Sequence, residues 1–384
     1  MTMTGRERLL ATLRRQQPDR IAIAPFLYYN NVYEMFGYRP RLEDFTDPQD
    51  FDVVARFVEY CDAFGFDVLH TLGSAWTAWT PGASWENWDV TVTEEGSDNE
   101  RQRVTRVRTP GGALQQTENI KRSSTYLVVS AIDEYLIKTP ADFDLFARYA
   151  PPAEQLDCRL VTRARAAAGE KGLVDSCTQG VFNALGMLRK LDDVMMDPYV
   201  DEGFYHTMME FLLARTLQQD RVIIAAGADI IEMGANMATG AVGPRFFTDY
   251  VLDYEKRLAA GIHEAGAYTI YHNCGDAAKI MHLYNELEID VWGYLTPRPF
   301  GDVDLDQALA VMRPDMVLRG NIDQVEFLVQ AGPAEIKARV AEVLGKVKAR
   351  GNFILSTTDF LFDGTPYENI RAFAEAGREY GRNS

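Results

Sequence analysis

Short apolar runs separated by longer stretches of mixed polarity set the pattern of this chain. Runs centred near residues 22, 68, 174, 230, 270, 292, 317 and 354 are too short for helices and read as strands buried on both faces. The stretches between most of them repeat their apolar residues at helical spacing. Over residues 47–64, for instance, Val53, Val54, Phe57, Val58 and Cys61 fall on one face, and Gly65 stands where a helix commonly ends. Helices are likewise predicted over 6–15, 141–149, 156–168, 185–190, 198–225, 244–265, 279–287, 304–312, 333–350 and 368–380. Eight strands alternating with helices predict an α/β chain folded as a (β/α)8 TIM barrel, with residues 6–15 as an N-terminal helical extension.

One region breaks the alternation. Trp76, Trp79, Trp85 and Trp88 lie among Gly and Pro, and residues 90–92, 102–108 and 113–117 then alternate apolar and polar. Turn residues at 96–99 and 110–112 separate them, which predicts an antiparallel β meander inserted at about residues 76–120 of a single barrel domain spanning 1–384. The tryptophans suit either a lid over a pocket or simple packing of the meander on the barrel.

Composition narrows the function. The 384 residues are 47% hydrophobic, enough for a large core, and carry a formal net charge of −17. An acidic surface without a long basic run disfavours nucleic acid and anionic membrane as partners. No apolar run approaches the roughly 18 residues of a membrane span. The first residues show no signal-peptide pattern, and four scattered cysteines predict a reducing, cytoplasmic setting with thiols free for metal. No glycine-rich phosphate loop follows the first strand, and no G-x-S-x-G elbow occurs.

Barrel enzymes work at the carboxyl ends of their strands. The residues expected there are Cys177 after the third strand, Glu232 on the fourth, His272 and Cys274 on the fifth, Trp292 and Tyr294 on the sixth, Asn321 and Asp323 after the seventh, and Asp359 after the eighth. In Tyr268-Thr-Ile-Tyr-His-Asn-Cys-Gly-Asp276, an imidazole and a thiol two apart on an extended backbone share one face and can reach one ion. Glu232, His272, Cys274 and Asp359 are therefore candidate ligands of a zinc-type ion. Glu232, His272 and Asp359 are also the candidate catalytic residues, and Trp292, Tyr294 and Asn321 the candidate substrate contacts.

The pieces Arg6-Glu-Arg8, Pro18-Asp-Arg20, Gly180-Val-Phe182, Asp197-Pro198, Ala228-Asp-Ile-Ile-Glu232, Pro244-Arg-Phe-Phe247, His272-Asn-Cys-Gly275, Arg319-Gly-Asn-Ile-Asp323 and Thr365-Pro-Tyr-Glu-Asn369 occur in an order and spacing that resembles the uroporphyrinogen decarboxylase superfamily. The resemblance covers nearly the whole chain and implies the same barrel. The decarboxylase branch carries an N-terminal Arg-Gln-Ala-Gly-Arg segment, where this chain reads Phe26-Leu-Tyr-Tyr-Asn-Asn31, and a late Gly-His-Gly turn, where it reads Ser356-Thr-Thr-Asp359. The cobalamin-dependent methyltransferase branch carries His-x-Cys and a distant Cys on zinc. His272 and Cys274 match the first two, and Asp359 stands where the third would be. This branch implies a zinc-dependent methyltransferase moving a methyl group between a small molecule and the cobalt of a corrinoid on a separate protein. An Asp in place of a thiolate leaves a harder ion, which suits a methoxy donor, and the Trp and Tyr residues near the mouth are compatible with an aromatic one. The alternative is a decarboxylase acting on a small organic acid.

Overall fold

The computed structural model describes residues 2–42, 45–72 and 84–382. Among these residues twelve strands form two sheets. In chain order they are β1 Ala22–Ile23, β2 Val68–Leu72, β3 Asp89–Gly96, β4 Glu100–Thr109, β5 Gly112–Arg122, β6 Val128–Glu134, β7 Gly172–Gln179, β8 Ile230–Gly234, β9 Tyr268–His272, β10 Val291–Gly293, β11 Val317–Ile322 and β12 Phe353–Thr357. Eight of them pair in parallel, in the order β1-β12-β11-β10-β9-β8-β7-β2. The seam between β1 and β2 is made by the Asp67 and Ile23 backbones, N–H to C=O at 2.9 Å, and by the Ile23 N–H on the Asp67 carboxylate at 2.8 Å. All eight predicted strands are present, and the chain is a TIM barrel.

The predicted N-terminal helix is Gly5–Leu13, started by Thr4 and Glu7 in a reciprocal capping box. It plugs the bottom of the barrel. Leu9 and Leu13 pack on Ala22, Leu69, Leu173, Ile230, Ile270, Val291, Val317 and Ile354, the inward-facing residues of the eight strands. Buried Arg8 fixes the plug through Asp19 at 2.7 Å and through Asp67, which Arg20 also reaches at 2.8 Å. Because strand side chains alternate faces, the next inward position on each strand lies one layer higher. There the barrel holds Asp175, Glu232, His272, Arg319 and Ser356, which makes its second layer polar.

Several helices differ from their sequence limits. Residues 198–225 break at Asp201, whose carboxylate caps the new helix Glu202–Ala225 through the Phe204 N–H at 2.9 Å. Residues 244–265 contain a π turn, Phe247–Val251, ahead of helix Leu252–Glu264. Helix Tyr29–Phe36 was not expected from the sequence. Gly65 ends Val53–Phe64 as predicted, with φ 72°.

The inserted sheet β3-β4-β5-β6 has one strand more than predicted and runs to Glu134 rather than stopping near residue 120. Trp76 and Trp79 lie outside the described residues. Trp88 is buried edge-on against Phe146, which supports the packing reading for that tryptophan.

Asp220, on helix Glu202–Ala225, is buried, and burial, only partly offset by the Thr178 hydroxyl, raises its carboxyl to about 8. The folded pKa lies above the unfolded one, so the wild type loses stability as pH rises from about 4 to 8, by roughly 1.4 kcal/mol per unit. An uncharged Asp220→Asn side chain escapes that loss. Urea unfolding is expected to show the variant gaining over wild type between pH 5 and pH 8. A difference that stays constant across that range would refute the assignment.

Candidate metal centre

Three strand exits meet at the mouth. His272 closes β9 with its side chain inward, in register with Gly234 and Gly293 on either side. The chain then turns on Asn273, whose amide donates to Tyr284 Oη at 2.7 Å and accepts the Gly275 N–H at 3.0 Å. That turn presents Cys274, whose backbone N–H and thiol both donate to Asn236 Oδ1, at 3.1 and 3.3 Å. Asp359 arrives from the loop after β12. Gln324 Oε1 accepts the backbone N–H groups of Thr358 and Asp359 at 3.2 and 3.1 Å and so holds that loop in place. As a result one ring nitrogen of His272, Sγ of Cys274 and a carboxylate oxygen of Asp359 lie within 4.8 Å of one another.

The fourth expected ligand, Glu232, stands one step behind. Its Oε1 is 2.5 Å from His272 Nδ1, and its Oε2 takes Tyr294 Oη at 3.2 Å and Arg319 Nη1 at 3.3 Å. Both oxygens are thus engaged, and Glu232 is not among the three converging donors. Burial would raise its carboxyl, but the charges of His272 and Arg319 hold it down to about 2. With Glu232 ionised, the short bond runs from Nδ1–H to the carboxylate. Nε2, buried and not held by Glu232, is the nitrogen left to bind an ion once its proton leaves. Asp175 shows the opposite balance: burial first, then Glu232, pushes its carboxyl well above the usual range. One N, one S and one O donor fit zinc by donor type, and three protein ligands leave a position for substrate.

Other expected residues fall differently. Trp292 does not face the mouth. In β10 the inward positions are Val291 and Gly293, so Trp292 points outward, fully buried, with its ring edge-on to Tyr284 at 5.3 Å. Tyr294 is at the site, but its hydroxyl is committed to Glu232. Its ring stacks on Phe26 at 4.9 Å and meets His272 edge-on at 4.8 Å. Asn321, two residues beyond inward-facing Arg319, keeps a buried amide oxygen without a partner. Asp323 caps its own loop through the backbone N–H groups of Val325 and Phe327, at 2.7 and 3.0 Å. Cys177 is buried beside Glu232, and burial followed by that carboxylate keeps it a thiol.

The sequence reading missed Asp175, Arg319, Phe26, Tyr28 and Phe360. Arg319 and Asp175 were visible as charges inside apolar runs. The three aromatics form a continuous wall, Phe26 to Tyr28 at 4.9 Å and Tyr28 to Phe360 at 5.0 Å.

A model of the uroporphyrinogen decarboxylase (URO-D) family matches residues 125–380. Among curated proteins, a methylated-thiol–coenzyme M methyltransferase of Methanosarcina mazei is 25% identical over 184 residues, 48% of this chain and 46% of its own length. A uroporphyrinogen decarboxylase of Roseiflexus sp. is 26% identical over 187 residues, 47% of this chain and 51% of its own. The chain thus spans about half the length of the curated relatives it matches. Among solved structures, a methyltransferase from Methanosarcina mazei superposes with a TM-score of 0.72 at 16% identity, over 98% of this chain and 99% of that one, which bears on the fold. Among the described residues no helix is long and apolar enough to cross a membrane. With two thirds of its length under the family model and the same barrel in a solved neighbour, the chain belongs to the uroporphyrinogen decarboxylase family.

Proposed function

We propose that the protein is a zinc-dependent methyltransferase that moves a methyl group between a methylated small molecule and the cobalt of a corrinoid on a separate protein. The observation that carries this reading is the convergence of His272, Cys274 and Asp359 within 4.8 Å, backed by Glu232 on the imidazole. A metal-free decarboxylase has no use for such a cluster. The absence of arginine from Phe26-Leu-Tyr-Tyr-Asn-Asn31 also argues against a substrate rich in carboxylates.

His272, Cys274 and Asp359 would hold the ion. Bound there, zinc supplies Lewis acidity toward the heteroatom that carries the methyl group. The chain's own residues do the rest. Glu232 fixes the imidazole's tautomer and direction, with Tyr294 and Arg319 fixing Glu232 in turn. Asn236 and Gln324 set the positions of the thiol and the carboxylate. The partly exposed Tyr28 and Phe360 rings, backed by buried Phe26, offer flat apolar faces beside the centre, which suit a methoxylated aromatic. Asn321 has an amide free to orient its polar substituent.

The second reading is a decarboxylase acting on a small organic acid, and the decarboxylases among the sequence relatives favour it. Elemental analysis of the purified protein, followed by incubation with 2-methoxyphenol and free cob(I)alamin, separates the two. Methyl transfer predicts stoichiometric zinc and conversion of the cob(I)alamin spectrum to that of methylcobalamin. Protein without zinc, with the spectrum unchanged after zinc is added, would end the methyl-transfer reading. Carbon dioxide release from a carboxylic acid would support the second.

A further inference from the structure

Basic residues are outnumbered in this chain, 39 Lys and Arg against 56 Asp and Glu. Most arginines would therefore be expected to sit on a carboxylate. Four of them instead surround one hollow on the rim. Arg39, Arg41, Arg101 and Arg122, with Pro40, Leu42 and Asp98, enclose about 350 Å³ between the segment after helix Tyr29–Phe36 and the tip of the inserted sheet. Arg101 is shared between Glu94 at 3.3 Å and Asp98 at 3.4 Å. The other three form no ion pair among the described residues. Arg39 gives one bond, to the Asn99 amide oxygen at 3.3 Å. Arg122 gives its two terminal nitrogens to backbone carbonyls, Pro40 at 2.8 Å and Thr125 at 3.1 Å, and its Nε is buried without a partner. Burial and then the neighbouring Arg39 charge lower the Arg122 pKa, and Asp98 only partly offsets them.

Such a cluster costs free energy in an empty hollow and repays it when an anion enters. Guanidinium forks match the paired oxygens of phosphate and carboxylate, and three or more around one point favour a group with several oxygens and more than one charge. The concavity suits a small ion rather than a protein surface, and the chain's overall acidity opposes a polyanion. We propose that the hollow lined by Arg39, Arg41, Arg101 and Arg122 is a binding site for a phosphate-class oxyanion, either free phosphate or a phosphomonoester. Arg122 links β5 to residue 40, and Ser124 Oγ bonds the Asp363 carboxylate at 2.5 Å. The hollow thus lies where the end of β5 meets residue 40, two residues before the Ser124 contact with the loop that also carries Asp359. It does not depend on the methyl-transfer reading, since the ligand carries no methyl group to transfer.

Isothermal titration calorimetry of the full chain tests it, in a chloride buffer of low ionic strength, with inorganic phosphate and then glycerol 2-phosphate. One saturable site is expected, with affinity in about the sub-millimolar range and weakening as salt is raised. Arg39 and Arg41 are both exposed, so the Arg39→Gln/Arg41→Gln variant keeps the fold; it is expected to lose affinity by about tenfold or more. Exposed Arg245→Gln, on helix Gly243–Phe246, is the matched control and is expected to bind as wild type does. Tighter binding of glycerol 2-phosphate identifies a phosphomonoester as the ligand, and equal binding identifies the free ion. No saturable heat with either probe, or equal affinity in the double variant and wild type, overturns the proposal.

Discussion

Replacing His272 by Ala is expected to remove bound zinc and methyl transfer together, with activity falling by about three orders of magnitude or more. The imidazole offers the cluster's nitrogen donor, and no other histidine joins the three donors among the described residues. Its loss also leaves Glu232 Oε1 buried without its partner, so the variant's fold must be checked by circular dichroism. Cys274→Ser provides the cleaner arm. That side chain is only half-buried and bonds a single amide oxygen, so the fold should tolerate the change while the ion loses its thiolate. Glu232→Gln tests the bracing layer. Its expected cost is about 10- to 100-fold in zinc affinity, the usual penalty for disturbing a group behind a ligand. Zinc retained at wild-type level in both His272→Ala and Cys274→Ser would show that these residues do not form the metal centre.

The ranking of those three effects rests on distances that the sequence could not supply. His272, Cys274 and Asp359 were legible because two lie within one turn and the third ends a strand, and a closed barrel brings every strand end to one rim. Glu232 was expected at the carboxyl end of its strand, which made it look like a fourth ligand, but β8 runs on to Gly234 and leaves it one layer below the mouth. Only the 2.5 Å contact with Nδ1 places it behind the ring. Trp292 shows the limit of reading a strand without its register: a shift of one residue moves a side chain from the mouth to the helix layer. The eight barrel strands were legible because both faces are buried, so that their short runs are mostly apolar. Strand β6 was not, since its residues are half-exposed or exposed and carry no such run. Asp175 and Arg319 interrupt apolar runs, and neither charge makes sense until the barrel closes and sets them face to face at 3.7 Å.

Arg319 carries the second large expectation. The guanidinium is fully buried, 3.3 Å from Glu232 and 3.7 Å from Asp175, with its charge over the Tyr294 ring at 4.5 Å. Its Nε and Nη2 make no hydrogen bond. Arg319 is therefore held chiefly by the Glu232 carboxylate, the neighbouring Asp175 and a ring face, and it in turn keeps Glu232 charged in a buried setting. Arg319→Met preserves much of the side-chain volume but strands the Glu232 charge, which is expected to cost about 3–5 kcal/mol in urea unfolding. Replacing the carboxylate as well, in Arg319→Met/Glu232→Gln, removes the stranded charge and is expected to restore part of that loss. The double variant should then be more stable than the sum of the single changes predicts, by at least about 1 kcal/mol. Strictly additive losses would mean that Arg319 acts only as filler and that the polar layer does not hold Glu232 against the imidazole. A coupling of the expected size, with zinc affinity falling in Arg319→Met as it does in Glu232→Gln, would tie the buried layer to the metal centre above it.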